Sequence, residues 1–207
     1  IDRPNTSSYF SEKQVNSLYA NATLGYNDIL YLDLTARNDW SSALPKDNNS
    51  YFYWSTSASL VFTEFDTFDG LDFLSFGKFR VSYGEVGNDL APYQIGTTYG
   101  TGTSYGSNAT QFVPNSLRTP NLVAAIKSTF EIGLDLRFFD GKLRTDINYY
   151  EEVDEDQILS LSVPGSSGYT SSTLNSGKFT TTGWEFLVQG TPIQTQDLNI
   201  DLTLNFS

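Results

Sequence analysis

The chain contains no cysteine, no histidine and no methionine. Without Cys there is neither a disulfide framework nor a thiolate metal site, although the compartment stays open because many proteins outside the cytosol carry no disulfide. Without Cys or His the commonest ways of activating a nucleophile are also gone, so the chain reads as a non-enzyme. Basic residues are scarce: 12 Lys and Arg stand against 24 Asp and Glu, a formal charge of −12. No basic cluster exists that would neutralise a run of phosphates, which excludes nucleic acid as a partner. Long apolar runs are missing as well. The best candidate for an apolar helix, Leu122 to Ile126, falls far short of the roughly 20 residues that span a bilayer. There is no Met at position 1, and Ile1-Asp2-Arg3-Pro4 lacks the charged region and apolar core of a secretory signal. The final residues, Leu204-Asn205-Phe206-Ser207, stop inside an alternating pattern, so both ends read as cuts in a longer chain.

What the chain does have is aromatic residues, 15% of the total with 13 Tyr and 15 Phe, at a hydrophobic content of only 39%. That combination fits a β-barrel with a polar interior and aromatic girdles. The clearest segment is Thr129 to Tyr150. Phe130, Ile132, Leu134, Leu136 and Phe138 alternate with Glu131, Gly133, Asp135 and Arg137, and then, past a two-residue turn at Asp140-Gly141, Leu143, Ile147 and Tyr149 alternate with Lys142, Arg144, Asp146 and Asn148. Side chains alternate across a strand, so each strand has one apolar and one charged face. Such strands are long for a soluble sandwich, where about 5–6 residues is usual, and match the roughly 9–11 that a tilted strand needs to cross a bilayer.

The same period recurs along the chain. Residues 1–16 are polar and aperiodic and read as a loop. Leu18 to Tyr26 and Leu30 to Arg37 flank Asn27-Asp28, a pair that tolerates the positive φ of a tight hairpin. Further alternating stretches run from Trp54 to Phe62, Lys78 to Glu85, Lys178 to Gly190 and Leu198 to Phe206. That makes about eight strands. Short links near 27–28, 64–77, 140–141 and 191–197 alternate with long ones near 39–53, 86–127 and 151–177. An up-and-down outer-membrane meander has this asymmetry, with short periplasmic turns and long extracellular loops, whereas a Greek-key sandwich has no reason to obey it. The expected fold is therefore all-β, an antiparallel up-and-down transmembrane β-barrel present in part. The alternative is a soluble extracellular β-sandwich acting as a binding or adhesion module.

Several motifs resemble one family. Arg37-Asn38-Asp39-Trp40-Ser41-Ser42 is similar to an Arg-x-Asp-x-Ser-Ser strand end, and Phe52 to Glu64 resembles the strand and acidic turn that follow. Phe76 to Asn88, with Lys78, Arg80, Ser82-Tyr83-Gly84 and Gly87-Asn88, looks like Leu-Lys-x-Arg-x-Ser-Tyr-Gly-x-x-Gly-Asn. Gly133-x-Asp135, Phe138-Phe139, Tyr149-Tyr150, Asn175-x-Gly177 and Gly183-x-Glu185 follow in order. Together these resemble the SusC/RagA-type TonB-dependent transporters of the bacterial outer membrane, over residues 17–207. Leu122-Val123-Ala124-Ala125 departs from the family's usual Pro-Glu or Trp-Glu.

The resemblance implies a barrel of about 22 strands with a plug domain, of which this chain supplies only part of the wall. It also implies TonB-driven import of oligosaccharide or oligopeptide nutrients, with TonB acting through a plug outside this chain, a SusD-like surface lipoprotein as lid, and outer-membrane lipid around the wall. A passive porin is the third reading. The charged set Asp33, Arg37, Lys78, Arg80, Glu131, Asp135, Arg137, Arg144, Asp146 and Glu185 is expected to face the lumen, with Glu131 or Asp135 pairing with Arg144 and some members touching plug or substrate. Trp40, Tyr93, Tyr99 and Tyr105 are candidates for stacking on a glycan or peptide, against a role in girdle or loop packing. Gly100 to Gly106 has the glycine content of a phosphate cradle but no Lys-Ser/Thr after it, and reads as a flexible loop. No cofactor is expected. The acidic run Glu151 to Asp156 offers calcium-binding oxygens but lacks Asp-x-Asp-x-Asp-Gly spacing, and reads as a solvated strand end. Paired carboxylates such as Asp66 with Asp69, or Asp135 with Asp146, have the groups for acid–base chemistry, with nothing to select them.

Overall fold

A computed structural model describes Ser8, residues 10–68 and residues 70–207. Much of the loop reading for 1–16 and the Asp69 half of the Asp66/Asp69 pair lie outside the described residues. Four long strands come first: β1 (Val15–Tyr26), β2 (Leu30–Ser41), β3 (Ser50–Val61) and β4 (Leu74–Asn88). Three short ones follow inside a single long connection: β5 (Gly100–Thr101), β6 (Gln111–Phe112) and β7 (Ser116–Arg118). The wall resumes with β8 (Ala125–Phe138) and β9 (Leu143–Glu155). A second long connection carries β10 (Ile158–Ser162) and β11 (Ser171–Asn175), before β12 (Lys178–Gln194) and β13 (Asn199–Phe206) complete the wall. No helix among the described residues is long and apolar enough to cross a membrane, which says nothing of strands.

The wall is an eight-stranded antiparallel meander in the order β1-β2-β3-β4-β8-β9-β12-β13. Every wall neighbour is the next wall strand in sequence, the up-and-down topology expected from the connection lengths. The strands exceed the alternating cores legible in the sequence: β4 has 15 residues, β8 has 14 and β12 has 17. Their extra residues lie beyond the roughly 9–11 that cross a bilayer. β1 begins at Val15, so the wall starts a little before residue 17.

Register keeps the two faces separate across the sheet, because residues opposite each other on neighbouring strands share a face. Asp33 faces Thr23 and Ser57, Arg80 faces Ser59 and Gly133, Gly133 faces Asn148, and Asn148 faces Glu185. On the other side Leu34 faces Ala22 and Thr56, Leu134 faces Phe79 and Ile147, and Ile147 faces Phe186. Among the described residues no second sheet covers this apolar face. Leu18 is 69% exposed and Leu204 is 72% exposed, where a soluble sandwich buries such residues. Aromatic rings pair along the face, Trp54 with Tyr83 at 5.2 Å between centroids and Tyr149 with Trp184 at 5.0 Å.

The hairpin turns are longer than the sequence reading. β8 ends at Phe138 and β9 starts at Leu143, so the connection is 139–142 rather than Asp140-Gly141 alone. Phe139 (φ 54°), Asp140 (φ 56°) and Gly141 (φ 82°) are all left-handed. Asn27 (φ 50°) and Asp28 (φ 57°) adopt the positive φ expected of them, with Tyr26 pairing Leu30 across the turn. β12 carries a register shift between Gly190 and Ile193, around Pro192, which has no N–H to give a ladder.

Candidate functional site

The main buried core of the described residues is not in the wall, whose strands bury only Val61 and Ala125 among their hydrophobic side chains, each at a strand end. It lies among the long connections, where Ala43, Leu44, Leu90, Leu122 and Ala124 pack together with Tyr51, Ile95 and Ile158 against them. Three connections, 42–49, 89–124 and 156–177, are thereby joined at one end of the sheet. β11 pairs antiparallel with β10 and parallel with β7, so two of these connections share a small sheet. Asn175 holds them more tightly: its Oδ1 accepts from Val123 N–H at 2.9 Å, and its Nδ2 donates to the Val123 carbonyl at 3.0 Å and the Asp156 carbonyl at 2.7 Å. Asn48 Nδ2 donates to the Asn121 carbonyl at 3.4 Å. Lys13 pairs with Asp89 and donates to the Leu90 carbonyl at 3.1 Å, fixing the residues before β1 to the same body.

All ten charged residues singled out in the sequence lie on one face of the wall, as the register shows. Arg80 Nη2 donates to both oxygens of Asp146, at 2.9 and 2.8 Å, passing over Gly133. A Cβ on Gly133 would lie 2.8 Å from Arg80 Nη2 and 3.0 Å from Nε, so the absent side chain is what leaves the path open. This crossing borders a concavity of about 460 Å³ lined by Ser57, Ser59, Lys78, Glu131, Asn148 and Glu185 among others. Asp33 accepts from Thr23 Oγ1 at 2.7 Å and from Ser57 Oγ at 3.3 Å.

The expected pairing of Glu131 or Asp135 with Arg144 is not the one that forms. The register sets Asp135 opposite Asp146 and Arg137 opposite Arg144, so like charges face each other and opposite charges must meet elsewhere. They do so diagonally, as Arg80 with Asp146, or along one strand, where Arg137 Nη2 lies 3.8 Å from Asp135 Oδ2. The Arg137 guanidinium also sits 4.5 Å from the Phe76 ring centroid. Nearer the long connections, Arg37 Nε donates to Asp39 at 2.8 Å and Tyr53 hydroxyl donates to its other oxygen at 2.9 Å. Asp39 is only 4% exposed, and these donors offset the cost of burying its charge.

The four aromatic candidates separate. Trp40 faces Asn16 and Ser50 at the end of β2, on the apolar side with Leu34 and Ala36, so it belongs to the wall's apolar face and not to the loop body. Tyr93, Tyr99 and Tyr105 stand exposed on the 89–124 connection. Tyr93 is left-handed (φ 62°); its hydroxyl accepts from Glu12 N–H at 3.3 Å, and its carbonyl accepts from Arg118. Gly100 to Gly106 is not an open cradle: β5 and β6 pair there, and Tyr105 and Asn108 exchange backbone bonds at the tip. The acidic run lies mostly within β9, whose alternation sends Glu152 to Lys127 and Glu155 to Lys178 on opposite faces. Among the described residues no group of three or more His, Cys, Asp or Glu is placed to hold a metal ion.

Sequence reasoning did not single out the loop core, the Asn175 clasp or Phe112. Asn175 was visible as part of Asn175-x-Gly177, whose Gly177 is left-handed (φ 90°), but its partners are distant in sequence.

An eight-stranded meander with one uncovered apolar face and one charged face is what a transmembrane barrel wall requires. The family described as TonB dependent receptor-like, beta-barrel matches residues 1–207. The chain belongs to that family. TonB-dependent receptor P26 of Formosa agariphila is 29% identical over 201 residues, which are 96% of this chain and 20% of the relative. TonB-dependent receptor SusC of Bacteroides thetaiotaomicron is 28% identical over 195 residues, 84% of this chain and 18% of SusC. A structure of the RagAB peptide transporter matches with a TM-score of 0.86 at 23% identity, covering 93% of this chain and 21% of that one. The chain thus spans about a fifth of the length of the relatives it matches. The resemblance to SusC/RagA-type receptors holds, and the chain is part of a bacterial outer-membrane β-barrel.

Proposed function

We propose that these residues form a wall segment and extracellular loops of a TonB-dependent importer for oligosaccharide or oligopeptide nutrients. The observation that carries the reading is the division of faces over the whole wall, apolar on one side and bearing Asp33, Arg80, Glu131, Asp146 and Glu185 on the other; on this reading the apolar side meets lipid and the charged side lines the lumen. The short turns lie on the periplasmic side and the joined long connections outside, where a SusD-like lipoprotein would close over them. TonB would act through a plug belonging to other parts of the receptor. A lumen wall needs charged residues held in place without blocking passage, and the Arg80–Asp146 crossing supplies that, lying flat along the wall in the space Gly133 leaves.

Uptake measured in the source bacterium tests the proposal. Deleting the full-length receptor, or TonB, should abolish uptake of the same oligomer. Uptake that needs the receptor but survives loss of TonB would make it a passive porin instead.

A further inference from the structure

From Leu90 to Leu117 the chain has no Asp, Glu, Lys or Arg, although 17% of all residues are charged and the formal charge is −12. In place of charge the segment has Tyr93, Tyr99, Tyr105 and Phe112, set among Thr, Ser, Asn, Gln and Gly. Such a segment offers a ligand rings and neutral hydrogen-bonding groups but no ion-pair partner.

The segment is built, not loose. β5 and β6 pair Gly100 with Phe112 and Thr101 with Gln111, Gly102 N–H donates to the Thr110 carbonyl at 2.9 Å, and Tyr105 and Asn108 close the tip around left-handed Gly106. Its base is tied down where Arg118 N–H donates to Thr97 Oγ1 at 3.2 Å and the Arg118 side chain donates to the Tyr93 carbonyl. Gly100 has a second role here: a Cβ on it would lie 2.3 Å from Phe112 Cζ, so the Phe112 ring lies across bare backbone while more than half of the residue remains exposed. Tyr99 is 70% exposed, and Tyr105, at the tip, is 84% exposed.

Rings presented on a fixed hairpin, with neutral hydroxyl and amide groups between them, are suited to stacking on the C–H faces of sugar rings and bonding their hydroxyls. A peptide brings charged termini and side chains, for which this segment has no counter-charge. An acidic glycan would meet the repulsion of Glu151, Asp154 and Asp156, the carboxylates of the acidic run that no lysine pairs, at the same end of the wall. We infer that the β5–β6 hairpin is a contact surface for an uncharged oligosaccharide, with Tyr99, Tyr105 and Phe112 as stacking residues. The inference rests on the importer reading and narrows its substrate to neutral glycans.

The test uses the purified full-length receptor on immobilised neutral oligosaccharides, uronate and sulfated oligosaccharides, and peptides. Retention on a neutral oligosaccharide is expected, with Tyr99→Ala and Tyr105→Ala each weakening it about tenfold and Tyr105→Phe keeping most of it. Retention confined to charged glycans or peptides, retention on none of the probes, or neutral binding indifferent to both alanine variants would overturn the inference. TonB-dependent uptake of a uronate or peptide by the same receptor would sink it while leaving the importer reading intact. Neutral-glycan binding that needs Tyr105, joined to uptake independent of TonB, would do the reverse.

Discussion

The Arg80 guanidinium crosses over Gly133 to meet the Asp146 carboxylate two strands away, at 2.8 and 2.9 Å. The pair is open to solvent, with the two side chains 40% and 32% exposed, so it contributes only about 0.2–1 kcal/mol. Gly133→Ala pushes a Cβ into the guanidinium and should cost about as much as Arg80→Ala. In the Arg80→Ala background the glycine substitution should then cost little more, which a double-mutant cycle on barrel unfolding reads directly. Equal penalties in both backgrounds would show that Gly133 serves something other than this path.

Asp135 faces Asp146 in register, and Arg80 supplies the charge that neutralises Asp146 there. Asp146→Asn removes one of the two facing carboxylates along with the ion pair. It should destabilise the barrel less than Arg80→Ala, which leaves both carboxylates facing each other. Urea titration of the refolded full-length receptor in lipid vesicles measures the difference, and the opposite order would count against the register.

Leu134 and Asp135 are neighbours in sequence on opposite faces. Leu134→Arg should destabilise insertion by about 2–4 kcal/mol if it sits near the bilayer midplane. Asp135→Asn should leave folding nearly unchanged. The folded fraction seen as heat-dependent gel mobility distinguishes them, and equal loss from both would contradict the assignment of faces.

Leu122 is 1% exposed at the centre of the loop core. Leu122→Ala should loosen that core by about 2–5 kcal/mol. Faster chymotrypsin cleavage within 89–124 is expected, with the membrane-embedded wall still resistant. Unchanged cleavage would mean that the connections do not depend on this core.

Single cysteines in the full-length receptor, with any cysteine outside these 207 residues replaced by serine, test orientation. In intact cells a membrane-impermeant maleimide should label Ser104→Cys, beside the hairpin tip, and spare Gln196→Cys, in the short turn before β13. The reverse pattern would invert the wall.

Alternation in the sequence was enough to divide the wall's faces, because a period of two leaves a strand no freedom about which residues share a side. It was not enough to find ion-pair partners. Those depend on stagger between strands and on rotamers: the stagger placed Arg144 opposite Arg137 and diagonal to Asp135, and the Asp135 carboxylate meets Arg137 instead. Strand ends were underestimated for a related reason: near the long connections both faces are polar, so Ala125 to Ser128 and Glu151 to Glu155 lose the alternation while keeping the ladder. The loop body was least legible. Its parallel β7–β11 pairing joins Ser116 to Ser171 across two wall strands, a contact that no local pattern specifies.

The shared packing of Ala43, Leu44, Leu90, Leu122, Ala124 and Ile158 makes the three long connections one packed unit. A connection transplanted alone from a relative would arrive with half of each contact absent. New recognition at this rim is therefore best sought by exchanging all three together, or by changing residues of the β5–β6 hairpin that point away from the core.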